Sequence, residues 1–168
     1  SFYKAIKILD DALRLYGVDG ISLSFNGGKD ATVLLHLARA AVAGYNKAAG
    51  ISDGPTCVRC VYFEEKNGFE EMEDFIAEVE EKYCLAIERF PGEFKEGCEH
   101  MMKTYDSKAF ILGTRKSDPH GKFVESFSPS TPGWPAFMRV HPILSWEYDD
   151  VWRFLVEMEL PYCCLYDR

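Results

Sequence analysis

The residues best suited to chemistry lie in one short segment, Ser24-Phe-Asn-Gly-Gly-Lys-Asp30. Two consecutive glycines can adopt backbone angles closed to other residues, so successive N–H groups can converge on one anion. Lys29 adds a positive charge and Asp30 a carboxylate. Phosphate is the expected guest if a helix follows, because a helix amino terminus attracts anions. The alternative is a glycine pair that only joins a strand to a helix.

A second polar segment, Gly113-Thr-Arg-Lys-Ser-Asp-Pro119, follows a continuous apolar run. Arg115 and Lys116 supply positive charge, and Asp118 is a candidate ligand for magnesium. An Asp-Pro pair is also an ordinary way to open a turn, so this segment taken alone favours neither reading.

Aromatic residues and prolines fill a third segment, from Phe127 to Leu144. Aromatic side chains in this segment would stack on a flat heterocycle, and Arg139 beside them would pair with its phosphate. A proline-rich lid packed on the core explains the same residues equally well.

These segments need elements to position them, and hydrophobic periodicity predicts those elements. The predicted helices cover residues 2–16, 31–43, 69–83, 94–105 and 146–159, and the predicted strands cover 21–25, 56–63, 85–90 and 109–113. Residues 45–55 read as a polar connection and residues 114–142 as an irregular, ordered loop over a substrate. Strands that alternate with helices predict an α/β fold with a parallel sheet. The first two polar segments then meet at the carboxyl edge of that sheet.

Composition limits the classes of function. A chain of 168 residues fits one domain, and a net charge of −8 argues against a protein that coats nucleic acid. No apolar run approaches the length that crosses a bilayer, so we expect no membrane partner. His36, His100, His120 and His141 are expected to be structural.

The six cysteines show no spacing typical of a disulfide framework, which favours reduced thiols and a cytoplasmic location. Cys57 and Cys60 fall in a predicted strand, where residues three apart point to opposite faces. We therefore expect neither a zinc site nor a redox pair there.

The glycine segment resembles the pyrophosphate-binding loop SGGKDS of N-type ATP pyrophosphatases and PAPS reductases, with Asn26 and Ala31 at its two serine positions. Five motifs of the chain resemble those of eukaryotic-type FAD synthases, which are FMN adenylyltransferases, and occur in the same order. They are FNGGKD, GTRxxDP, FSPxxPGWPxFMRVHPIL, DVWxFL and PYCxLYDR. The resemblance covers nearly the whole chain. It implies a Rossmann-like three-layer fold of the adenine nucleotide alpha hydrolase-like type, with a mostly parallel central sheet.

The resemblance also implies a set of site residues. The catalytic residues would be Asn26, Lys29, Asp30, Arg115 and Asp118, with Asp30 and Asp118 binding magnesium. The residues that bind ATP or FMN would be Ser24, Phe25, Asn26, Gly27, Gly28, Lys29, Asp30, Gly113, Thr114, Arg115, Trp134 and Arg139. Among them, Arg115, Trp134 and Arg139 would serve flavin binding. Thr131 stands where the family commonly has an acidic residue. Residues 1–168 would form a single adenylyltransferase domain that lacks the family's later basic segment.

By this resemblance the reaction is transfer of AMP from MgATP to FMN, giving FAD and pyrophosphate. Its partners are small molecules, a monomer is compatible with such a site, and apoflavoproteins are candidate clients. A sulfonucleotide reductase shares the loop, although its Glu-Cys-Gly context is absent here. A tRNA thiolase fits the acidic chain less well. A noncatalytic nucleotide or flavin sensor is the alternative outside enzymes.

Overall fold

The computed structural model describes residues 2–64 and 68–168. The helices are α1 (Phe2–Tyr16), α2 (Lys29–Ala49), α3 (Glu70–Lys82), α4 (Phe94–Tyr105) and α5 (Tyr148–Glu157). The strands are β1 (Ile21–Ser24), β2 (Arg59–Phe63), β3 (Ile87–Phe90), β4 (Ala109–Ile111), β5 (Phe127–Pro129) and β6 (Met138–Val140). Two short 3₁₀ turns cover Gly121–Phe123 and Cys164–Asp167.

The six strands form one sheet in the order β3-β2-β1-β4-β6-β5. All neighbouring strands are parallel except β5, which runs antiparallel to β6. The predicted α/β fold with a mostly parallel sheet is therefore confirmed. Since β1 to β4 and β6 run in one direction, the turns that follow them share one edge of the sheet.

Helices cover both faces of the sheet, as the three-layer prediction requires. The larger buried cluster joins side chains of α1, α2, α3 and α5 to one face. The smaller cluster takes the alternate strand residues Val61 and Phe110, and packs them against Cys98 and Met101 of α4 and against Phe137. This alternation follows from the two-residue period of a strand.

Several predicted boundaries shift. Helix α2 runs to Ala49, so the residues from Tyr45 to Ala49, predicted as the start of a connection, are helical. The helix ends only where Gly50 adopts a left-handed conformation with φ of 68°, which costs glycine little. Strands β2 and β3 begin later than predicted, at Arg59 and Ile87.

The segment predicted as irregular, 114–142, contains the β5 and β6 hairpin. Each of these strands has only three residues, too few for a period to be read from the sequence. Pairing with β4 on one side and β5 on the other defines β6. Tertiary contacts therefore determine this part of the sheet.

The expectation that Cys57 and Cys60 lie in one strand and point to its opposite faces was wrong. Cys57 lies before β2, and a hydrogen bond with its thiol, together with burial, raises the pKa of Cys60. All six cysteines are free. Across residues 2–64 and 68–168, no group of three or more His, Cys, Asp or Glu residues could hold a metal ion.

None of the described helices combines the length and the apolar content that a bilayer crossing requires.

Candidate active site

The glycine loop connects β1 to α2 through a left-handed backbone conformation that favours glycine. Gly27 has a φ of 73°, and a Cβ there would lie 2.6 Å from the Met72 sulfur of α3. Gly28 is the N-cap of α2, and its N–H donates to the Asn26 Oδ1 at 3.1 Å. The loop therefore packs closely on α3 and ends at the positive pole of α2, as the sequence predicts.

The loop that follows β4 lies against the glycine loop. An added Cβ at Gly113 would stand 3.2 Å from the Cβ of Asp30 and 3.7 Å from a methyl group of Leu34. A side chain at position 113 would require the neighbouring atoms to shift by a few tenths of an ångström. The parallel pairing of β1 with β4 brings the two loops together, so the predicted juxtaposition of residues 26–30 with residues 113–118 is present.

Four charged side chains form a network between these loops. The Lys29 Nζ lies 2.9 Å from the Asp30 Oδ2, and the Arg115 Nε lies 2.9 Å from the Asp30 Oδ1. The Arg115 Nη2 lies 3.8 Å from the Asp118 Oδ1, while the Asp118 Oδ2 accepts a hydrogen bond from the Arg115 N–H at 2.7 Å. Arg115 therefore bridges the two carboxylates predicted to bind metal.

The two carboxylates fit a divalent cation that is shared with a bound ligand. The Arg115 Nε–H is not aligned on the Asp30 Oδ1, which is buried and has no hydrogen-bond partner in the described part of the chain. The Asp118 side chain is 38% exposed. Magnesium is usually held by one or two carboxylates together with substrate phosphates and water, so two oxygen donors are enough.

A polar cavity of about 500 Å³ opens above the two loops. Its walls comprise Ser24, Asn26, Gly28, Asp30, Ala31, Phe94, Leu112, Gly113, Thr114, Asp118 and Tyr166. Seven of the predicted site residues thus line one cavity, at the amino end of α2. A cavity with this polar lining suits a phosphorylated ligand.

A second, mostly apolar cavity of about 610 Å³ adjoins the first. It is lined by Phe94, Leu112, His120, Phe123, Val124, Thr131, Trp134, Phe137 and Arg139. Phe94 and Leu112 belong to both cavities, so the two share a wall. The predicted aromatic residue Trp134 and the predicted Arg139 both lie in this second cavity.

Arg139 combines a fixed end with an unpaired donor. Its Nη2 donates to the Pro129 carbonyl at 2.8 Å, which orients the guanidinium along the β5–β6 hairpin. Its Nε is buried and has no hydrogen-bond partner among the described residues. A buried donor without a partner is costly, and an acceptor on a ligand would satisfy it.

Three predicted contributions differ from expectation. The Phe25 side chain is fully buried in the core, so only its backbone faces the loop. Arg115 was predicted to serve a flavin, but it joins Asp30 and Asp118 and does not line the apolar cavity. Lys116 lines a separate groove with Lys4, because its N–H is bonded to the Leu144 carbonyl on the other side of the loop.

The histidines behave mainly as structural residues. Burial, with smaller contributions from Arg39 and Lys82, lowers the pKa of His36 to about 4. Burial and Arg139 lower the pKa of His141 to about 4 as well. Both rings are therefore neutral at pH 7. His120 is not a buried residue like these two, because it is exposed and lines the apolar cavity.

Some cavity residues were missed in the sequence. Phe94 was read only as the start of a helix, although it follows β3 at the edge of the sheet where ligands bind. Tyr166 was noted only as part of the PYCxLYDR motif. Its hydroxyl oxygen lies 3.1 Å from the backbone nitrogen of Lys29. Nothing local to residue 166 signals a contact 137 positions away.

Known proteins share this arrangement of loop, sheet and sequence. The chain matches the phosphoadenosine phosphosulfate reductase domain family over residues 20–99 and 95–168. The chain belongs to this family. The phosphoadenosine phosphosulfate reductase domain thus extends from β1, through the glycine loop, to the carboxyl end.

Curated relatives of the chain include two probable FAD synthases. A probable FAD synthase of Caenorhabditis briggsae is 38% identical over 167 residues, which are 98% of this chain and 31% of the relative. A probable FAD synthase of Schizosaccharomyces pombe is 34% identical over 168 residues, which are 98% of this chain and 62% of the relative. The chain therefore spans 31% and 62% of the length of these two relatives.

Solved structures agree with the sequence relatives. The FMN adenylyltransferase of Candida glabrata superposes with a TM-score of 0.86 at 26% identity, over 98% of this chain and 57% of that protein. The same enzyme in complex with FMN and the ATP analogue AMPCPP gives a TM-score of 0.81 at 27% identity, over 98% of this chain and 59% of that protein. The fold of this chain is thus similar to part of these FMN adenylyltransferase structures.

Proposed function

We propose that this chain is an FMN adenylyltransferase domain that forms FAD and pyrophosphate from FMN and MgATP. One observation carries the proposal: a polar, phosphate-suited cavity and an apolar, aromatic cavity share a wall at Phe94 and Leu112. A transfer between a nucleotide and a flavin needs two such compartments in contact. The similarity to an enzyme whose structure holds FMN and an ATP analogue supports the same assignment.

In this proposal the triphosphate of ATP occupies the polar cavity. The Gly28 and Lys29 N–H groups lie at the amino end of α2, where they donate to the Asn26 Oδ1 and the Tyr166 hydroxyl, and the α2 dipole and the Lys29 side chain supply positive charge. Asp30 and Asp118 would hold magnesium, which neutralises charge on the triphosphate when it is bound. Arg115 is close enough to both carboxylates to balance their charge in the absence of a nucleotide.

The isoalloxazine ring of FMN occupies the apolar cavity against Trp134, and Arg139 supplies an unpaired donor there. One oxygen of the FMN phosphate attacks the α-phosphorus of ATP. The bond from that phosphorus to the bridging oxygen breaks, and pyrophosphate leaves. A phosphate monoester with a second pKa of about 6 is already largely ionised at pH 7, so no general base is needed.

Catalysis then consists mainly of positioning and charge neutralisation. Two polyanions repel each other, and the site must hold them in line while it offsets that repulsion. Lys29 and Arg115 both pair with Asp30, which lines the polar cavity, and their side chains are mostly buried, at 15% and 11% exposure. Low exposure strengthens their interaction with a bound phosphate.

A sulfonucleotide reductase is less well supported. That reaction needs a reactive cysteine, and no cysteine lines either cavity in the described part of the chain. Cys163 is buried, its Sγ contacts the Glu71 carbonyl at 3.4 Å, and burial raises its pKa. A thiol of this kind is a poor nucleophile.

We also propose the surroundings in which the domain works. Six free cysteines support a reducing compartment such as the cytoplasm. A monomer is sufficient for the proposed chemistry, since both cavities are formed within one chain. Apoflavoproteins that accept the product are the proposed protein clients.

Incubation with FMN, ATP and magnesium, followed by chromatography for FAD and an assay for pyrophosphate, tests the function. We expect both products in equal amounts. Lys29→Met should retain binding of FMN and lose most turnover, because it keeps the length of the side chain and removes its charge. Binding of both substrates without product would favour the sensor and contradict the proposal.

A further inference from the structure

The carboxyl-terminal residues bring Tyr166 onto the glycine loop. The Lys29 N–H, at the first position of α2, donates a hydrogen bond to the Tyr166 hydroxyl oxygen at 3.1 Å. A Cβ added to Gly28 would lie 3.6 Å from the same oxygen. The hydroxyl therefore stands directly beside the backbone that is expected to bind phosphate.

The Tyr166 ring is held in place independently of any ligand. Its edge packs on Trp152 with ring centroids 5.5 Å apart, and the Lys29 Nζ lies 5.7 Å from its centroid. The Tyr166 N–H donates to the Cys163 carbonyl at 3.1 Å within the last 3₁₀ turn. The hydroxyl is thus positioned before a nucleotide arrives, which lowers the cost of ordering it on binding.

An ion pair fastens this end of the chain to α3. The Arg168 Nη2 lies 2.6 Å from the Glu71 Oε1, and the Cys163 Sγ donates to the Glu71 carbonyl at 3.4 Å. Helix α3 also contacts the glycine loop, through Met72 beside Gly27. The carboxyl-terminal residues, α3 and the glycine loop therefore pack on one another, and Tyr166 and the loop line the polar cavity.

We infer that Tyr166 is a further substrate-contacting residue, whose hydroxyl donates a hydrogen bond to a phosphate oxygen of the bound nucleotide. Its oxygen accepts from the Lys29 N–H, so its own hydrogen is free to point into the polar cavity that Tyr166 lines. The hydroxyl takes up the Lys29 N–H donor and presents its own O–H to the cavity in its place. Linked hydrogen bonds of this kind polarise and strengthen one another.

This inference rests on the proposed function for the identity of the nucleotide. It concerns the phosphates and not the adenine or the flavin, which gives it a distinct signature. The hydroxyl should matter for every ligand that places a phosphate beside Lys29, including inorganic pyrophosphate. It should have little influence on FMN in the apolar cavity, since Tyr166 does not line that cavity.

Tyr166→Phe tests the hydroxyl alone, because it keeps the ring on Trp152 and over Lys29. The matched control is Tyr162→Phe, which removes the hydroxyl that donates to Asp167 in the same tail and does not line the polar cavity. Calorimetric titration should show MgATP and magnesium pyrophosphate each binding about tenfold more weakly to Tyr166→Phe, the loss expected for a hydrogen bond to a charged group. FMN affinity should be unchanged, and Tyr162→Phe should bind as the unsubstituted chain does.

Unchanged binding of pyrophosphate by Tyr166→Phe would overturn the inference. Tighter binding would also overturn it, because the hydroxyl would then be a competitor that phosphate displaces from the Lys29 N–H. If the unsubstituted chain binds MgATP and FMN but forms no FAD, the proposed function fails while the pyrophosphate titration still decides the role of Tyr166. If the unsubstituted chain binds no phosphate ligand, both proposals fail.

Discussion

Gly113 lies against the side chain of Asp30, so closely that a Cβ on Gly113 would stand 3.2 Å from the Asp30 Cβ. This contact joins the loop after β4 to the loop after β1. It also places Asp30 within 2.9 Å of Arg115, which follows Gly113 by two residues. A methyl group on Gly113 would therefore press on Asp30, the carboxylate that pairs with both Lys29 and Arg115.

Gly113→Ala should reduce formation of FAD by about tenfold or more, because small displacements of reacting groups lower rates steeply. The free energy of unfolding should fall by only about 1 kcal/mol, as expected for mild overpacking. Gly44→Ala is the matched control, since nothing lies within 4 Å of a Cβ at that position of α2. Steady-state kinetics and chemical denaturation measure the two effects. Equal turnover in both variants would contradict the prediction.

Asp118→Asn should lower turnover with MgATP by about 100-fold, the effect typical of losing one charged group at a phosphoryl-transfer site. The asparagine oxygen can still accept the hydrogen bond from the Arg115 N–H, so the turn should persist and the circular dichroism spectrum should not change. Asp53→Asn, on an exposed loop, is the control. Full activity of Asp118→Asn at low magnesium would remove this carboxylate from the proposed metal site.

Trp134→Ala should raise the KM for FMN by about tenfold and leave the KM for ATP within a factor of about two, because aromatic stacking contributes about 1 kcal/mol or more. Trp134 lines only the apolar cavity, where it packs beside Phe94 and Phe137. The ratio of the two KM values serves as an internal control for general damage. An unchanged KM for FMN would exclude Trp134 from flavin binding.

Acid should destabilise the fold through His141. Its ring is 2% exposed, and neither ring nitrogen has a hydrogen-bond partner among the described residues. Burial lowers its pKa from 6.5 to about 4, so the unfolded chain binds the proton more readily. The stabilising contribution is complete above pH 6.5 and is lost as the pH falls towards 4.

Comparison of unfolding free energies at pH 7.5 and pH 5 measures this contribution. His141→Leu should remove about 2 kcal/mol of the pH dependence, at about 1.36 kcal/mol per pKa unit. His120→Leu is the control, because His120 is exposed. Identical pH dependence in both variants would show that His141 is not buried as a neutral ring.

The sequence predicted most of the helices and the strands β1 to β4, because their residues show a period or, in the case of β4, a continuous apolar run. It failed on β5 and β6, whose three residues apiece carry no readable alternation. It also placed Cys57 and Cys60 on opposite faces of one strand, whereas the strand begins between them, at Arg59. The ends of a strand depend on which of its backbone N–H and C=O groups form hydrogen bonds, and those bonds depend on the neighbouring strands.

The sequence by itself determined where the glycine loop and the loop after β4 lie, because turn residues between a strand and a helix reveal both position and local chemistry. Only the tertiary structure decided that Arg115 bridges Asp30 and Asp118, and that Tyr166 reaches Lys29. The physical reason is that these contacts join segments far apart in the chain. Sheet register and the packing of α3 fix their distances, and neither is encoded in any single stretch of residues.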